Sequence, residues 1–168
     1  VHQQLLDLMP EKGSAVLDVG AGSGRDAAWF AQRGCDVVAA EPAQGMIEKA
    51  REIHTELQIN WVRDGLPDLT ETIKLGMSFD LILLSAVWMH IKPNEKPRAF
   101  RKLAALLRPG GRMIISLRTG SFNDGRESYP VALSANLTIC ATAPMSPGRQ
   151  SASSYRMMAL THCHCCAT

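Results

Sequence analysis

Short apolar runs alternate with longer amphipathic segments throughout the first 118 residues of this 168-residue chain. The short runs predict strands over residues 15–19, 35–41, 59–62, 79–85 and 112–117. Apolar residues recur at helical spacing over residues 25–33, over residues 43–57 and after Asn94, which can cap a third helix. Strands that alternate with helices in this way indicate an α/β fold with an open, mostly parallel sheet. Right-handed crossovers then place the strands in the order 3-2-1-4-5.

The charge distribution changes after residue 118. Residues 119–168 contain only five charged residues and show neither helical nor strand periodicity over a useful length. We therefore expect a folded domain over residues 1–118 and an irregular, poorly ordered, low-charge tail over residues 119–168. The abnormal composition from about residue 131 also suggests, as a hypothesis, a frameshifted or divergent coding end.

The net charge and the apolar runs argue against several classes of partner. A net charge of +2 is too close to neutral to indicate a nucleic-acid or membrane surface. No apolar run reaches the roughly 20 residues that cross a bilayer, and the first residues lack the pattern of a signal peptide, so we expect a cytoplasmic location. The HCHCC run at residues 162–166 lacks the C-x-x-C spacing of zinc sites, so we predict no metal.

A glycine-rich turn follows the first predicted strand, in the sequence LDVGAGSG over residues 17–24. A dinucleotide-binding turn has the pattern G-x-G-x-x-G, in which the last glycine allows the helix to pack closely on the strand. Here Arg25 occupies that last position. Asp18, just before the glycines, would repel a phosphate group but suits a cation. The turn therefore favours a ligand without a pyrophosphate.

Two further acids follow the second and third predicted strands. Glu41 lies about 20 residues after the first glycine, where a carboxylate commonly accepts hydrogen bonds from a ribose diol. Asp64, in the loop RDGLPDL, could accept a hydrogen bond from an exocyclic amine such as that of adenine. Together with Asp18, these acids describe a ligand with a cationic amino-acid end, a ribose and a base.

On these residues the chain resembles the class I S-adenosylmethionine-dependent methyltransferase family. The resemblance covers roughly residues 13–118 and rests on the motifs LDVGAGSG, VVAAEPAQGM, RDGLPDL, FDLILLSAVWMH and LRPGGRMIISL, in that order. It implies a Rossmann-like fold, S-adenosylmethionine as the cofactor and methyl transfer to a small-molecule acceptor. The cofactor-binding residues that it implies are Asp18, Gly20, Ala21, Gly22 and Gly24 for the methionine end, Glu41 for the ribose, Pro42, Met46, Asp64, Gly65 and Leu66 for the adenine, and Ser85 for the amino group.

Family members continue after the fifth strand with a helix and two more strands, one of them antiparallel beside the fifth. Nothing after Thr119 resembles these elements, so we expect the C-terminal strands to be missing and the edge of the fifth strand to be unpaired. His90, in the loop after the fourth strand, is the candidate general base for an acceptor that must lose a proton, and Trp88 could form a wall of the cavity.

Each of these residues also has a purely structural interpretation. Glycines after a strand can simply form a tight turn, Asp before Gly suits a turn, and His90 can hydrogen-bond to nearby backbone. Met46 lies on the apolar face of its predicted helix and could belong to the core. Two other functions also stay open: a truncated, non-catalytic cofactor-binding domain, and an NAD-dependent oxidoreductase, which Asp18 and Arg25 disfavour.

Overall fold

The computed structural model describes residues 8–117, 127–129, 137–142 and 156–161. A seven-stranded sheet forms its centre, in the order β3-β2-β1-β4-β5-β6-β7. The strands are β1 (Ala15–Val19), β2 (Asp36–Ala40), β3 (Ile59–Val62), β4 (Phe79–Ser85), β5 (Leu107–Leu117), β6 (Leu137–Thr142) and β7 (Arg156–Thr161). The helices are α1 (Arg25–Ala31), α2 (Gln44–Ile53), α3 (Thr70–Lys74) and α4 (Lys96–Leu106), and a 3-10 turn spans Trp88–His90. The predicted α/β class and the order 3-2-1-4-5 of the first five strands are confirmed.

The first five strands are parallel, and β1 lies between β2 and β4. In this register Asp18 of β1 stands beside Ala39 of β2 on one side and Leu83 of β4 on the other. All five residues of β1 are buried, as its apolar run, continuous except for Asp18, predicts for a strand covered on both faces. The loops that follow β1 to β4 therefore meet along one edge of the sheet.

Successive residues of β1 enter two different apolar clusters, because side chains alternate between the faces of a strand. Leu17 belongs to the cluster that contains Leu103 of α4, whereas Val16 belongs to the cluster that contains Phe30 of α1. Asp18 shares the face of Val16 and so points toward α1. The alternation that builds the core thus also places a carboxylate under the first helix.

Helix boundaries and faces differ from the sequence predictions in several places. The α4 helix begins at Lys96 after Glu95 rather than after a capping Asn94, and no side chain caps it. The α2 helix ends at Ile53, and its buried residues are Ile47 and Ala50. Met46 and Ile53, predicted on its buried face, are 40% and 53% exposed. The short α3 helix was not predicted, because five residues are too few to show a period.

The expectation that no strand follows β5 is wrong. The β6 strand pairs antiparallel with β5 from Arg112 opposite Thr142 to Leu117 opposite Leu137, and β7 pairs antiparallel with β6. This pairing provides partners for the backbone groups along the outer side of β5, where an unpaired apolar edge was expected. The two strands were not predicted because the segment has few charged residues and no clear strand period. Their pairing with the rest of the sheet depends on residues that are distant in the sequence. The domain boundary at residue 118 stays a prediction, since most of residues 119–168 lie outside the described part.

Among the described residues, none of the helices is both long enough and apolar enough to cross a bilayer.

Candidate cofactor site at the carboxyl ends of the strands

The turn after β1 consists of three glycines in the left-handed backbone region. Gly20, Gly22 and Gly24 have φ values of 71°, 55° and 80°, which only glycine adopts without strain. A Cβ atom on Gly20 would lie 2.5 Å from Cγ2 of Val87, so the loop after β4 also requires glycine there. The backbone N–H groups of Gly20 and Ala21 donate to the carbonyl of Ala40 at 2.7 and 3.2 Å. The turn is therefore held against the end of β2.

Glu41 follows β2 and joins this turn through both oxygens of its buried carboxylate. Oε2 accepts a hydrogen bond from the N–H of Gly22, and Oε1 accepts one from the N–H of Ala43, each at 2.9 Å. A carboxylate oxygen has two lone-pair directions, so each of these oxygens keeps the capacity to accept one more hydrogen bond. The predicted ribose-binding acid thus contacts the predicted glycine turn directly.

Asp18 lies beneath the turn and is 2% exposed. Its Oδ2 atom is buried without a hydrogen-bond partner among the described residues. Burial, and secondarily the negative charge of Asp26, raise the pKa of the Asp18 carboxyl from 3.8 to about 7. An orphaned carboxylate oxygen at this position fits a ligand that brings a cationic N–H group.

Asp26, in the first turn of α1, is a buried acid that the sequence analysis did not single out. Its Oδ1 atom lies 3.2 Å from Nε of Arg25, whose side chain is largely exposed. The sequence feature that could have identified Asp26 is its position two residues after the last glycine, at the N-terminal end of a predicted helix, where negative charge is favourable. Asp18, Asp26 and Glu41 place three acids near the glycine turn, which does not favour a pyrophosphate there.

Asp64, after β3, acts in the local structure of its own loop. Its Oδ1 accepts from the N–H of Gly65 at 2.8 Å, and its Oδ2 accepts from the N–H and Oγ1 of Thr72 at 2.8 and 2.9 Å. These bonds anchor the start of α3 to the loop. Oδ2 thus holds the helix, while Oδ1 retains the capacity to accept a second hydrogen bond.

The predicted adenine-contacting residues approach the site from two loops. Pro42 is exposed, and its ring lies 3.4 Å from the position of a Cβ atom on Gly65. The Cε atom of Met46 lies 3.6 Å from the corresponding position on Gly22. Leu66 packs against the core cluster that contains Leu17 and Leu103. The exposure of Met46 contradicts the core interpretation of this residue and places an apolar surface beside the glycine turn.

The loop after β4 closes the edge of the site. Ser85 is half-buried at the end of β4, and Ala86 has a φ of 55°, which is strained for a residue with a side chain. The N–H of Ala86 donates to Oγ of Ser116 on β5 at 3.0 Å. This bond holds the strained backbone so that Val87 packs on Gly20. Trp88 packs against the same cluster as Leu66.

His90 ends the 3-10 turn, and its Nδ1 atom lies 2.8 Å from the backbone carbonyl oxygen of Glu127. A carbonyl oxygen can only accept, so Nδ1 carries the hydrogen in this arrangement. In the neutral imidazole Nε2 is then the basic nitrogen. The N–H of Tyr129 donates to the carbonyl of Met89 at 2.8 Å, so the segment 127–129 lies along the 3-10 turn.

The structure therefore brings most predicted site residues to one edge of the sheet, through direct contacts between the loops after β1, β2, β3 and β4. His90 is placed by the segment 127–129 rather than by the glycine turn. Two clefts lie on the described surface, and the first reaches the glycine turn at Ser23. One of about 430 Å³ is lined by Trp29, Gln32, His54 and their neighbours, and one of about 340 Å³ lies near Asp80 and Arg112.

No group of three or more acidic, histidine or cysteine side chains among the described residues could hold a metal ion. The HCHCC run at residues 162–166 lies outside the described residues, so the prediction that it binds no metal is not tested there.

Comparisons with known proteins identify the family of this site. A family model described as a methyltransferase domain matches residues 16–111. The biotin biosynthesis bifunctional protein BioHC of Cellvibrio japonicus is 36% identical over 120 residues, which are 69% of this chain and 22% of that protein. An uncharacterized methyltransferase of Mycobacterium bovis is 34% identical over 63% of this chain and 40% of that protein. The chain thus spans less than half the length of these two curated relatives.

Among solved structures, a TehB-like S-adenosylmethionine-dependent methyltransferase from Corynebacterium glutamicum superposes with a TM-score of 0.58 and 26% identity. The superposition covers 77% of this chain and 64% of the other. The family model covers more than half of the chain, and this structure has the same fold. The chain therefore belongs to the class I S-adenosylmethionine-dependent methyltransferase family.

Proposed function

We propose that this protein binds S-adenosylmethionine at the glycine turn and transfers its methyl group to a small-molecule acceptor. The observation that carries the proposal is the orphaned Oδ2 of Asp18 beneath a left-handed glycine turn that is hydrogen-bonded to Glu41. S-adenosylmethionine has a cationic amino-acid end and a ribose but no phosphate, which matches these groups. When bound, it supplies a methyl group already activated on a sulfonium.

Different residues bind the ammonium group, the ribose and the adenine of the cofactor. Asp18 accepts from the ammonium group, and the remaining lone pairs of Glu41 accept from the ribose hydroxyls. Met46 and Pro42 offer apolar surface to the adenine, and the free lone-pair direction on Oδ1 of Asp64 suits its amine. Gly65, Leu66 and the backbone at Ser85 complete the set that the family resemblance implies. Ala21, Gly20 and Gly24 shape the turn.

Positioning is the main catalytic task, because the methyl group needs little further activation. Holding an acceptor at near-attack distance can contribute roughly 7 to 11 kcal/mol through proximity and orientation. We assign to Val87 and Trp88 the exclusion of water from the acceptor, because Val87 packs on Gly20 and Trp88 packs against the neighbouring core cluster. His90 accepts a proton at Nε2 if the acceptor must lose one, since Glu127 holds the hydrogen on Nδ1.

The acceptor is proposed only as a small molecule. Relatives are named for biotin biosynthesis and for ubiquinone biosynthesis, the latter an O-methyltransferase of Coxiella burnetii that is 28% identical. Because these relatives are named for different pathways, their similarity to this chain supports a shared cofactor-binding region rather than a shared acceptor. The comparisons give the NAD-dependent oxidoreductase no support, and the acidic cluster disfavours its pyrophosphate. The cytoplasmic location stays a prediction.

Two measurements test the proposal in sequence. Isothermal titration calorimetry with S-adenosylhomocysteine and with NAD should show binding of the first and none of the second. Turnover is then followed by S-adenosylhomocysteine production from S-adenosylmethionine with a panel of phenols, amines, thiols and carboxylic acids. Failure of S-adenosylhomocysteine to bind would overturn the proposal. Binding without turnover on any acceptor would instead favour a non-catalytic cofactor-binding domain.

A further inference from the structure

Asp18 occupies an unusual position for a carboxylate, in the middle of the sheet and under a helix. Among the residues described, its Oδ2 atom has no hydrogen-bond partner, while a backbone hydrogen bond from Ala27 of α1 supports the carboxyl group. An ionised carboxylate with an unsatisfied buried oxygen is costly, because it has lost water without gaining a full set of donors. The cofactor-free site therefore favours the protonated acid.

The charged groups around Asp18 do not compensate for this burial. The α1 helix contributes the carboxylate of Asp26 and the guanidinium of Arg25, and the end of β2 contributes the carboxylate of Glu41. Arg25 hydrogen-bonds to Asp26, and its side chain is 71% exposed, so water and Asp26 weaken its effect on Asp18. The neighbouring strands place the apolar Ala39 and Leu83 beside Asp18.

We propose that binding of the cationic amino-acid end of the cofactor is coupled to the release of one proton from the carboxyl group of Asp18 to solvent. This inference rests on the proposed function, since it concerns the same site. An ammonium group at the orphaned Oδ2 stabilises the carboxylate and repels the proton that it replaces. The bound complex therefore holds an ionised Asp18, whereas the cofactor-free chain holds a protonated one below neutral pH.

The coupling makes cofactor affinity depend on pH in the physiological range. Burial raises the pKa of Asp18 to about 7 in the cofactor-free chain. Below this pH the cofactor must displace a proton. Its association constant therefore decreases with falling pH, by a factor that approaches ten for each pH unit. Above it the carboxylate is already ionised, and this contribution to the affinity is constant. A fall in pH from about 7.5 to about 6 then weakens binding roughly tenfold.

Calorimetric titration of S-adenosylhomocysteine into the full chain measures the coupling directly. Titrations at one pH in buffers of different ionisation heat give the number of protons released on binding. We expect close to one proton at pH 6 and close to none at pH 8. The matched ligand is 5′-methylthioadenosine, which has the nucleoside but lacks the amino-acid end. It should release no proton from Asp18 at either pH.

Two variants separate Asp18 from the other titrating groups. Asp18→Asn keeps the shape of the side chain but cannot ionise, so it should abolish the difference in proton release between pH 6 and pH 8. Asp36→Asn replaces an exposed carboxylate at the start of β2 and should behave like the unmodified chain. If Asp18→Asn fails to fold, the carboxyl ¹³C resonances of the unmodified chain replace it. One buried aspartate should titrate near neutral pH and become ionised at pH 6 when S-adenosylhomocysteine is added.

The outcomes distinguish this inference from the proposed function. Binding of S-adenosylhomocysteine without proton release at pH 6 would overturn the inference and leave the cofactor assignment intact. Equal proton release by the Asp18→Asn variant would also overturn it, because another group would then be the source. Absence of binding at both pH values would overturn the proposed function itself, and the inference with it.

Discussion

The backbone N–H of Gly22 donates a 2.9 Å hydrogen bond to Oε2 of Glu41, which joins the turn after β1 to the end of β2. The same carboxylate accepts from Ala43 and so shapes two loops at once. The acid proposed to bind the ribose is therefore also the acid that holds the glycine turn. A change at this residue must affect both the ligand and the loop.

Glu41→Gln should weaken S-adenosylhomocysteine binding about 10- to 100-fold, since hydrogen bonds to a charged group contribute about 1.5 to 3 kcal/mol. The amide keeps one acceptor oxygen but places its NH2 group opposite the N–H of Gly22 or of Ala43, so the thermal midpoint should also fall. Calorimetry and thermal unfolding measure the two effects. Glu48→Gln, on the exposed side of α2, serves as the control. An unchanged affinity in Glu41→Gln would remove this residue from the ribose site.

Substitution of three glycines by alanine should show how much backbone strain and how much steric contact each contribute to the loss of folding stability. Gly45→Ala lies within α2 with open space around it and should stabilise the chain by about 0.5 to 1 kcal/mol. Gly13→Ala has open space but a φ of 83°, so it should cost about 1 to 2 kcal/mol. Gly20→Ala adds the contact with Val87 and should cost more than Gly13→Ala, measured by denaturant unfolding.

The double variant Gly20→Ala with Val87→Ala tests the contact itself. It should cost less than the sum of the two single variants, because shortening Val87 removes the clash while the strained φ remains. Simple additivity of the two single effects would show that Val87 is not what requires glycine at position 20.

Thr72→Val should destabilise the chain by about 1.5 to 3 kcal/mol, because it removes the 2.9 Å hydrogen bond from a buried hydroxyl to Oδ2 of Asp64. Thr72→Ser should retain most of the stability. Comparison with Asp64→Asn then assigns the role of the acid. If Asp64 binds the adenine, Asp64→Asn should weaken S-adenosylhomocysteine binding more than Thr72→Val does. The comparison is made under conditions in which the two variants are equally stable. Equal affinities would leave Asp64 with a structural role alone.

The contribution of Asp18 to the stability of the cofactor-free chain should decrease as the pH rises from about 4 to about 7. The pKa of Asp18 is raised from 3.8 to about 7 in the folded chain, so the folded state binds more protons than the unfolded state over this range. The shift is about three pH units, each worth about 1.4 kcal/mol, so this contribution is on the order of 4 kcal/mol. It is fully present below pH 4 and lost above pH 7.

Asp18→Asn provides the check on this pH dependence. The variant should unfold at a higher temperature than the unmodified chain at pH 8, and the difference should shrink toward zero as the pH falls to about 4, since the amide never carries a charge. Differential scanning calorimetry across this range measures both. Identical pH profiles of the two chains would mean that Asp18 does not titrate between pH 4 and pH 7.

His90→Asn should leave thermal stability nearly unchanged, because the amide can still donate to the carbonyl of Glu127 in place of Nδ1. It lacks a basic nitrogen, so methyl transfer to an acceptor that must lose a proton should fall about 10²- to 10⁴-fold. Long-range ¹H–¹⁵N NMR should show the hydrogen on Nδ1 of His90 in the unmodified chain. A hydrogen on Nε2 would contradict the assignment of that nitrogen as the base.

The order of the first five strands and the position of the glycine turn were determined by the sequence alone. Both depend on local patterns: apolar runs of strand length, helical spacing between them, and glycines at alternate positions after β1. Glu41 was also identified as a candidate in this way, because its distance from the first glycine follows from the length of one helix and one strand.

Tertiary structure alone decided the properties that depend on distant residues. It buried Asp18 and brought Asp26 near it, which together raise the pKa of Asp18, placed Val87 against Gly20, and joined Asp64 to Thr72. It also paired β6 with β5 and β7 with β6, in a segment whose composition predicted no strands. The contact of Val87 with Gly20 and the strand pairings join residues that are far apart in the chain, whereas Thr72 lies only 8 residues after Asp64. Their energies come from burial and close packing, which no local period in the sequence records.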